Sequence, residues 1–256
     1  MELRPYRVVY PKGKHKKTEV KTTEHSNMIE VKDLRKVYPM GDERVVALRR
    51  INLQIKRGEI CCIFGTSGSG KSTLLNQLAG LEKPTKGTVT IADVPVSSLN
   101  ETQLARFRQQ YTGFVFQAYN LLPNLTILEN VALPLMFCGM PKRKRRKIAA
   151  DMLRRVGLAN RMKHYPGQIS GGQQQRAGIA RAFVTRPAVI FADEPTGNLD
   201  SKTTREVMEM ICGFARQYHQ TIVMVSHDPE MASYADHVIT LLDGEIVKEE
   251  YQEETK

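Results

Sequence analysis

The sequence predicts an α/β domain built around a buried, mostly parallel sheet. Two apolar runs, residues 188–192 and 221–225, are short, uninterrupted and separated by a stretch of helical spacing. That is how strands covered on both faces read. A third run, Ile60-Cys-Cys-Ile-Phe64, leads into a glycine-rich loop and then into a helical segment. The three runs hand over to Gly65, to Asp193-Glu194 and to Ser226-His227. Those handovers fall at the C-terminal strand ends, the edge on which open α/β sheets hold ligands.

The elements follow in order. Residues 1–26 show no hydrophobic periodicity and are expected to form a disordered or loosely attached basic extension. The folded domain is expected over 27–250, beginning near Met28-Ile-Glu-Val31, with a tail at 251–256. Ile51-Asn-Leu-Gln-Ile55 and residues 60–64 read as strands joined by a turn at Lys56-Arg-Gly-Glu59. A helix starts near Lys71 and ends near Gly80. Gly87-Thr-Val-Thr-Ile91 is a further strand. Residues 101–165 are rich in Leu, Arg, Lys, Met and Gln at helical spacing, with few strand signals. They are expected to form a helical insertion, the subdomain running over about 101–180. The chain closes on a hairpin over 238–247 that turns at Asp243-Gly244.

A chain of 256 residues with 41% hydrophobic content suits one large α/β domain, with or without a small subdomain. No apolar run approaches the roughly 18–20 residues that span a bilayer, and the N-terminus has no apolar segment of signal-peptide type. A cytoplasmic location is expected. Cys61, Cys62, Cys138 and Cys212 show no metal-ligand spacing and read as small core hydrophobes in a reducing compartment. The net charge of +11 is concentrated. Residues 1–26 hold seven Lys or Arg against three Glu, and Lys142-Arg-Lys-Arg-Arg-Lys147 holds six more cations. A nucleic-acid binder spreads its cations over a face or interleaves them with aromatics, so no nucleic-acid partner is expected. The run at 142–147 reads as a solvated helix face or as a segment near acidic lipid headgroups.

Gly65-Thr66-Ser67-Gly68-Ser69-Gly70-Lys71-Ser72, followed by Thr73, matches the phosphate-binding P-loop in its required strand–loop–helix setting. The glycines let backbone N–H groups face inward, and the following helix adds the positive end of its dipole. Lys71 is placed to reach the β- and γ-phosphates of a nucleotide, and the Ser72 hydroxyl to ligate Mg²⁺. Asp193 is the candidate second Mg²⁺ ligand. Glu194, one residue nearer the γ-phosphate, is the candidate base for an attacking water. His227 falls on the same sheet edge and is placed to bond the γ-phosphate or to hold Glu194 and the water. The other five histidines have no such context.

The order of P-loop, Gln117, Ser170-Gly171-Gly172-Gln173, Asp193-Glu194, Asp200 and His227 resembles the ATP-binding subunit of ABC transporters across residues 28–247. Residues 192–200, Ala-Asp-Glu-Pro-Thr-Gly-Asn-Leu-Asp, together with Gly172-Gln-Gln-Gln-Arg176, resemble the LolD/MacB/FtsE-type branch. The resemblance implies a P-loop NTPase core, an antiparallel β subdomain and a helical subdomain. It implies that Tyr38 stacks on adenine, although Tyr38 alone equally fits a core or surface aromatic. Gln117 is implied as a lid residue that touches Mg²⁺, and Asp200 as part of a loop coupling two sites. Ser170, Gly171, Gly172 and Gln173 are implied to open a helix that caps ATP held by a second subunit, in a head-to-tail homodimer. Thr66 departs from the pattern, since many relatives carry Pro there; the position contributes mainly backbone.

The expected activity is ATP hydrolysis with ATP and Mg²⁺ as cofactors, coupled through dimer closure to integral membrane permease subunits. The chain is then peripheral on the inner face of the membrane through that permease. The work implied is export or extraction of lipoprotein, peptide or drug. The alternative is a regulatory ATPase that changes a membrane partner's shape without moving a substrate. DNA-repair ATPases of similar head design need a long coiled coil, for which residues 80–165 are too few and too irregular.

Overall fold

The computed structural model describes residues 27–41 and 43–252. The extension expected over 1–26 lies outside the described residues, as does the end of the tail. The chain opens with β1 (Asn27–Met40) and β2 (Glu43–Lys56), then enters β3 (Ile60–Phe64), the glycine-rich loop and α1 (Lys71–Leu78). β4 (Lys86–Ile91) and β5 (Val94–Pro95) follow, and α2 (Glu101–Tyr111) runs directly into β6 (Thr112–Phe116). Three helices come next: α3 (Ile127–Phe137), α4 (Lys142–Arg155) and α5 (Gly171–Phe183). The chain returns through β7 (Val189–Asp193), α6 (Ser201–Tyr218), β8 (Thr221–Ser226) and the short α7 (Pro229–Ala232). It closes on the hairpin β9 (His237–Leu242) and β10 (Glu245–Tyr251).

Two sheets result. One is antiparallel, in the order β2-β1-β4-β5; the other has the order β10-β9-β3-β8-β7-β6. In the second sheet β9, β3, β8, β7 and β6 run parallel, and only the edge strand β10 is antiparallel. The parallel strands alternate between two cores. Cys61, Ile63, Val189, Phe191, Val223 and Val225 face α1 and the antiparallel sheet. Ile60, Cys62, Ile190, Ala192, Ile222 and Met224 face the helices that follow β6 and β7. Being covered on both sides is why these strands are apolar throughout rather than alternating. Full burial of one such side chain contributes roughly 1.5–3 kcal/mol.

β6 is a departure from the sequence reading, which sees few strand signals over 101–165. It pairs in parallel with β7 from Thr112–Val189 to Phe116–Asp193 and so completes the core sheet. A second departure is Cys138, which is exposed at the end of α3, whereas Cys61, Cys62 and Cys212 are buried as expected. Burial pushes the Cys62 thiol up to about 12 and the Cys212 thiol up to about 11.

Three helix starts are held by reciprocal capping boxes: Asn100 with Gln103, Thr126 with Glu129, and Ser170 with Gln173. α3 also carries a buried polar anchor. The Asn130 amide nitrogen donates to the carbonyls of Leu122, Leu125 and Thr126, and its oxygen accepts from the Leu122 N–H. One side chain therefore shapes the loop between β6 and α3. Among the described residues, no helix is long and apolar enough to cross a membrane.

Candidate nucleotide-binding site

The parallel register gathers the candidate residues. Phe64 pairs with Ser226, Phe116 with Asp193, and Asp193 with Val225. Gly65, Gln117, Glu194 and His227 therefore leave four neighbouring strands at the same edge of the sheet.

The loop after β3 folds tightly around its own centre. Gly70, the N-cap of α1, is left-handed at φ 101°, and a Cβ there would sit 2.7 Å from the Ala47 carbonyl oxygen. Glycine is required on both counts. Lys71 is 6% exposed, and its Nζ donates to the Thr66 carbonyl at 2.8 Å. The ammonium is thus held inside the loop. The start of α1 has no side-chain cap and no acid in its first turn, so its first N–H groups are free of side-chain claims. The buried Ser69 hydroxyl has no partner among the described groups. A buried cation, an unpartnered buried hydroxyl and an uncapped helix start fit an anionic polyphosphate. The loop is also braced from outside: Gly244 N–H donates to the Ser69 carbonyl, and Arg49 N–H to the Gly244 carbonyl, both at 3.0 Å. The turn at Asp243-Gly244 therefore supports the phosphate loop, a role its turn signal alone does not disclose.

The acids sit against this loop. The Ser72 hydroxyl donates to Asp193 Oδ1 at 3.4 Å, a pair of hard oxygens suited to a divalent cation. Burial, followed by the charge of Glu194, raises the Asp193 carboxyl above its usual range. Glu194 adopts φ 43°, a strained conformation for a residue with a side chain, while its N–H bonds the Val225 carbonyl at 3.2 Å. Its Oε1 lies 3.0 Å from His227 Nδ1. Lys71, Ser72, Thr73, Glu194 and His227 line one cleft of about 930 Å³, which Val45 and Val46 of β2 close on the other side. These two valines gave no sequence signal as site residues.

Other candidates lie outside that cleft. Tyr38 donates to Glu82 Oε2 at 2.6 Å and carries Lys36 over its ring at 4.9 Å. Gln117 packs on the loop after β7: its carbonyl accepts from Asn198 Nδ2 at 3.0 Å, and Gly197 is close enough that a Cβ would lie 2.7 Å from its Nε2. Ser170 caps α5, with its Oγ accepting from Gln173 N–H at 3.4 Å and Gln173 Oε1 accepting from Ser170 N–H at 3.2 Å. Asp200 caps α6, accepting from the Thr203 hydroxyl at 2.7 Å and from the backbone of Lys202 and Thr203. Thr203 bonds hold the Asp200 carboxyl below its usual range. The methyl of the same Thr203 would lie 2.9 Å from a Cβ on Gly172. Asp200 and Gly172 therefore form one surface of the chain, distinct from the cleft around Lys71.

This combination of a two-sheet α/β fold and a phosphate loop facing Asp193 and Glu194 defines a P-loop nucleotide-binding protein. The ABC transporter family profile matches residues 48–197. Across 86% of this chain and 98% of the relative, it is 50% identical to an uncharacterized ABC transporter ATP-binding protein, MJ1508, of Methanocaldococcus jannaschii. It is 46% identical to the macrolide export ATP-binding/permease protein MacB of Shigella flexneri, of which it spans 34%. Among solved structures it resembles a dimeric post-hydrolysis state of the ATP-binding cassette MJ0796 bound to ADP and Pi. That match has a TM-score of 0.82 and 44% identity, and covers 88% of this chain and 98% of the cassette. The chain belongs to the ABC transporter family, as an ATP-binding subunit with ABC-type ATPase activity.

Proposed function

We propose that this chain hydrolyses ATP in a head-to-tail dimer, and that closure and opening of the dimer drive separate membrane permease subunits. The observation that carries this reading is the separation of the cleft around Lys71 from the surface formed by Ser170, Gly172 and Asp200. The cleft around Lys71 is lined by Glu194 and His227 but not by the Ser170 helix start. A helix N-terminus suits an anion, and a second copy related by a twofold axis supplies one to each cleft. That the solved MJ0796 cassettes are dimeric supports a dimer of this chain.

In this reading the loop N–H groups and Lys71 bind the triphosphate, and Tyr38 contacts the base. Ser72, Asp193 and Gln117 would hold Mg²⁺, which neutralises charge on the phosphate oxygens. Glu194 accepts the proton of the attacking water, and His227 holds Glu194 in place. Ser170, Gly171, Gly172, Gln173 and Asp200 of the second copy close over the γ-phosphate. Once it is lost, the two surfaces separate. The permease engages the helical subdomain near Gln117 and the loop shaped by Asn130. The relative named for macrolide export supports export as the work performed, with a drug, peptide or lipoprotein as the proposed cargo.

The experiment is Ser170→Arg. Steady-state hydrolysis is expected to fall to background while nucleotide still binds the isolated monomer. Loss of monomer binding would remove the role across the interface.

A further inference from the structure

We propose that Glu82 is a positioning residue for ATP binding: its carboxylate fixes the ring of Tyr38 for contact with the base and ties that ring to α1, the helix that leaves the phosphate loop. The inference rests on the reading above that Tyr38 contacts the base. Tyr38 lies in β1 opposite Val45 of β2, and Val45 lines the cleft around Lys71. The Tyr38 hydroxyl group also bonds Thr73, which follows the phosphate-loop motif and lines the same cleft. Tyr38 is thus bracketed by two cleft residues.

The hydroxyl is held in a small network. It donates to Glu82 Oε2 at 2.6 Å, and Lys36 Nζ pairs with the same oxygen at 3.0 Å. Glu82 Oε1 accepts from Asn76 Nδ2 of α1 at 3.2 Å. Lys36 Nζ donates in addition to the Lys83 carbonyl at 2.9 Å and stands 4.9 Å from the centre of the Tyr38 ring. Lys36 and Tyr38 are two residues apart on one strand, so both side chains leave the same face and reach one carboxylate. Burial raises the Glu82 carboxyl, but the bonds from Tyr38 and Lys36 outweigh it and hold the group below its usual range. Burial and the bond to Glu82 raise the Tyr38 phenol. At neutral pH the acid is therefore a charged acceptor and the phenol a neutral donor, the stronger kind of hydrogen bond.

The backbone carries Glu82 to this place. After α1 the chain doubles back, and the N–H groups of Leu81 and Glu82 both donate to the Asn76 carbonyl. Thr85 then docks on β1: its N–H donates to the Arg35 carbonyl at 2.9 Å, and its hydroxyl accepts from Val37 N–H at 3.0 Å. The segment between α1 and β4 is clamped to α1 at one end and to β1 at the other, with Glu82 between the clamps. A partly buried ion pair adds little stability by itself; what this one does is fix an aromatic ring. A ring already held by its hydroxyl loses less freedom when a base packs on it. The gain falls on the base alone, since neither Glu82 nor Lys36 lines the cleft around Lys71.

The test compares ATP with tripolyphosphate, which presents phosphates without a base, by calorimetric titration of the full-length chain in Mg²⁺. Tyr38→Phe keeps the ring and removes the hydroxyl. Glu82→Ala removes the acceptor, and Glu82→Gln keeps an oxygen there. Tyr38→Phe and Glu82→Ala are each expected to weaken ATP binding about two- to tenfold and to leave tripolyphosphate binding unchanged. The double variant should lose no more than the larger single loss, because both changes remove one bond. Glu82→Gln should recover part of the loss. Wild-type ATP affinity in Tyr38→Phe overturns the proposal, and so does an additive loss in the double variant. Equal loss of ATP and tripolyphosphate in Glu82→Ala overturns it as well and assigns Glu82 to the folding of the phosphate loop. Should Glu82→Ala unfold, Tyr38→Phe decides, since it leaves Lys36 paired. Tyr38→Ala separates the underlying reading: wild-type ATP affinity there removes the base contact itself, whereas a loss in Tyr38→Ala with none in Tyr38→Phe keeps the contact and removes the role of Glu82.

Discussion

Glu194 Oε1 and His227 Nδ1 lie 3.0 Å apart, joining the ends of two adjacent parallel strands. The contact closes a short bridge across the mouth of the cleft. Because Glu194 sits at φ 43°, its side-chain direction is set by strained backbone on one side and by the imidazole on the other. In the proposed mechanism this contact gives His227 a positioning role that its exposed location does not reveal.

Substituting His227 by Ala removes one of those two constraints. The kcat for ATP hydrolysis should fall roughly a hundredfold, while nucleotide affinity measured by titration changes little. A kcat near wild type would mean that the backbone alone orients Glu194.

Asp193 carries a stability penalty that follows from its environment. Burial and the neighbouring Glu194 raise its proton affinity in the folded chain. The folded state then binds this proton more readily than the unfolded chain does. Stability is lowered at pH above the folded value and recovers as pH falls toward the ordinary carboxylate range. Asp193→Asn should therefore raise the nucleotide-free melting temperature at neutral pH, by an amount that shrinks on acidification, and it should abolish hydrolysis. A lower melting temperature at neutral pH would contradict this assignment of cause.

Asn130 holds the loop between β6 and α3 through three donated bonds and one accepted bond. Asn130→Ala orphans backbone groups of that loop, and each buried orphan costs about 1–3 kcal/mol. Urea denaturation should show a loss in that range or slightly above it. Coupling to a permease should weaken more than basal hydrolysis, since no Asn130 atom lines the cleft around Lys71.

Much of the fold and of the cleft is legible in the sequence. Strands buried on both faces announce themselves as apolar runs, and the phosphate loop, Asp193, Glu194 and His227 each follow such a run. β6 was missed because Thr112 follows Tyr111 with no turn between, and a five-residue run containing Gly113 resembles the end of a helix. Tyr38's bond to Glu82 joins residues 44 apart, which no local pattern encodes. Val45 and Val46 were silent for the same reason: their role comes from where β2 passes the loop, not from their chemistry. Asn130 carries no local signal, because its role comes from the loop groups of Leu122 and Leu125 that fold back onto α3.

The central claim is that one chain's cleft is completed by another chain's Ser170 surface. The most direct test is the molar mass of Glu194→Gln, by light scattering, with and without ATP and Mg²⁺. Hydrolysis should fall at least a hundredfold, so the closed state accumulates. The mass should rise with ATP from that of one chain, 29.0 kDa, to that of two. Adding Ser170→Arg should return it to one. A variant that binds ATP and stays monomeric, or a double variant that still dimerises, would contradict the account.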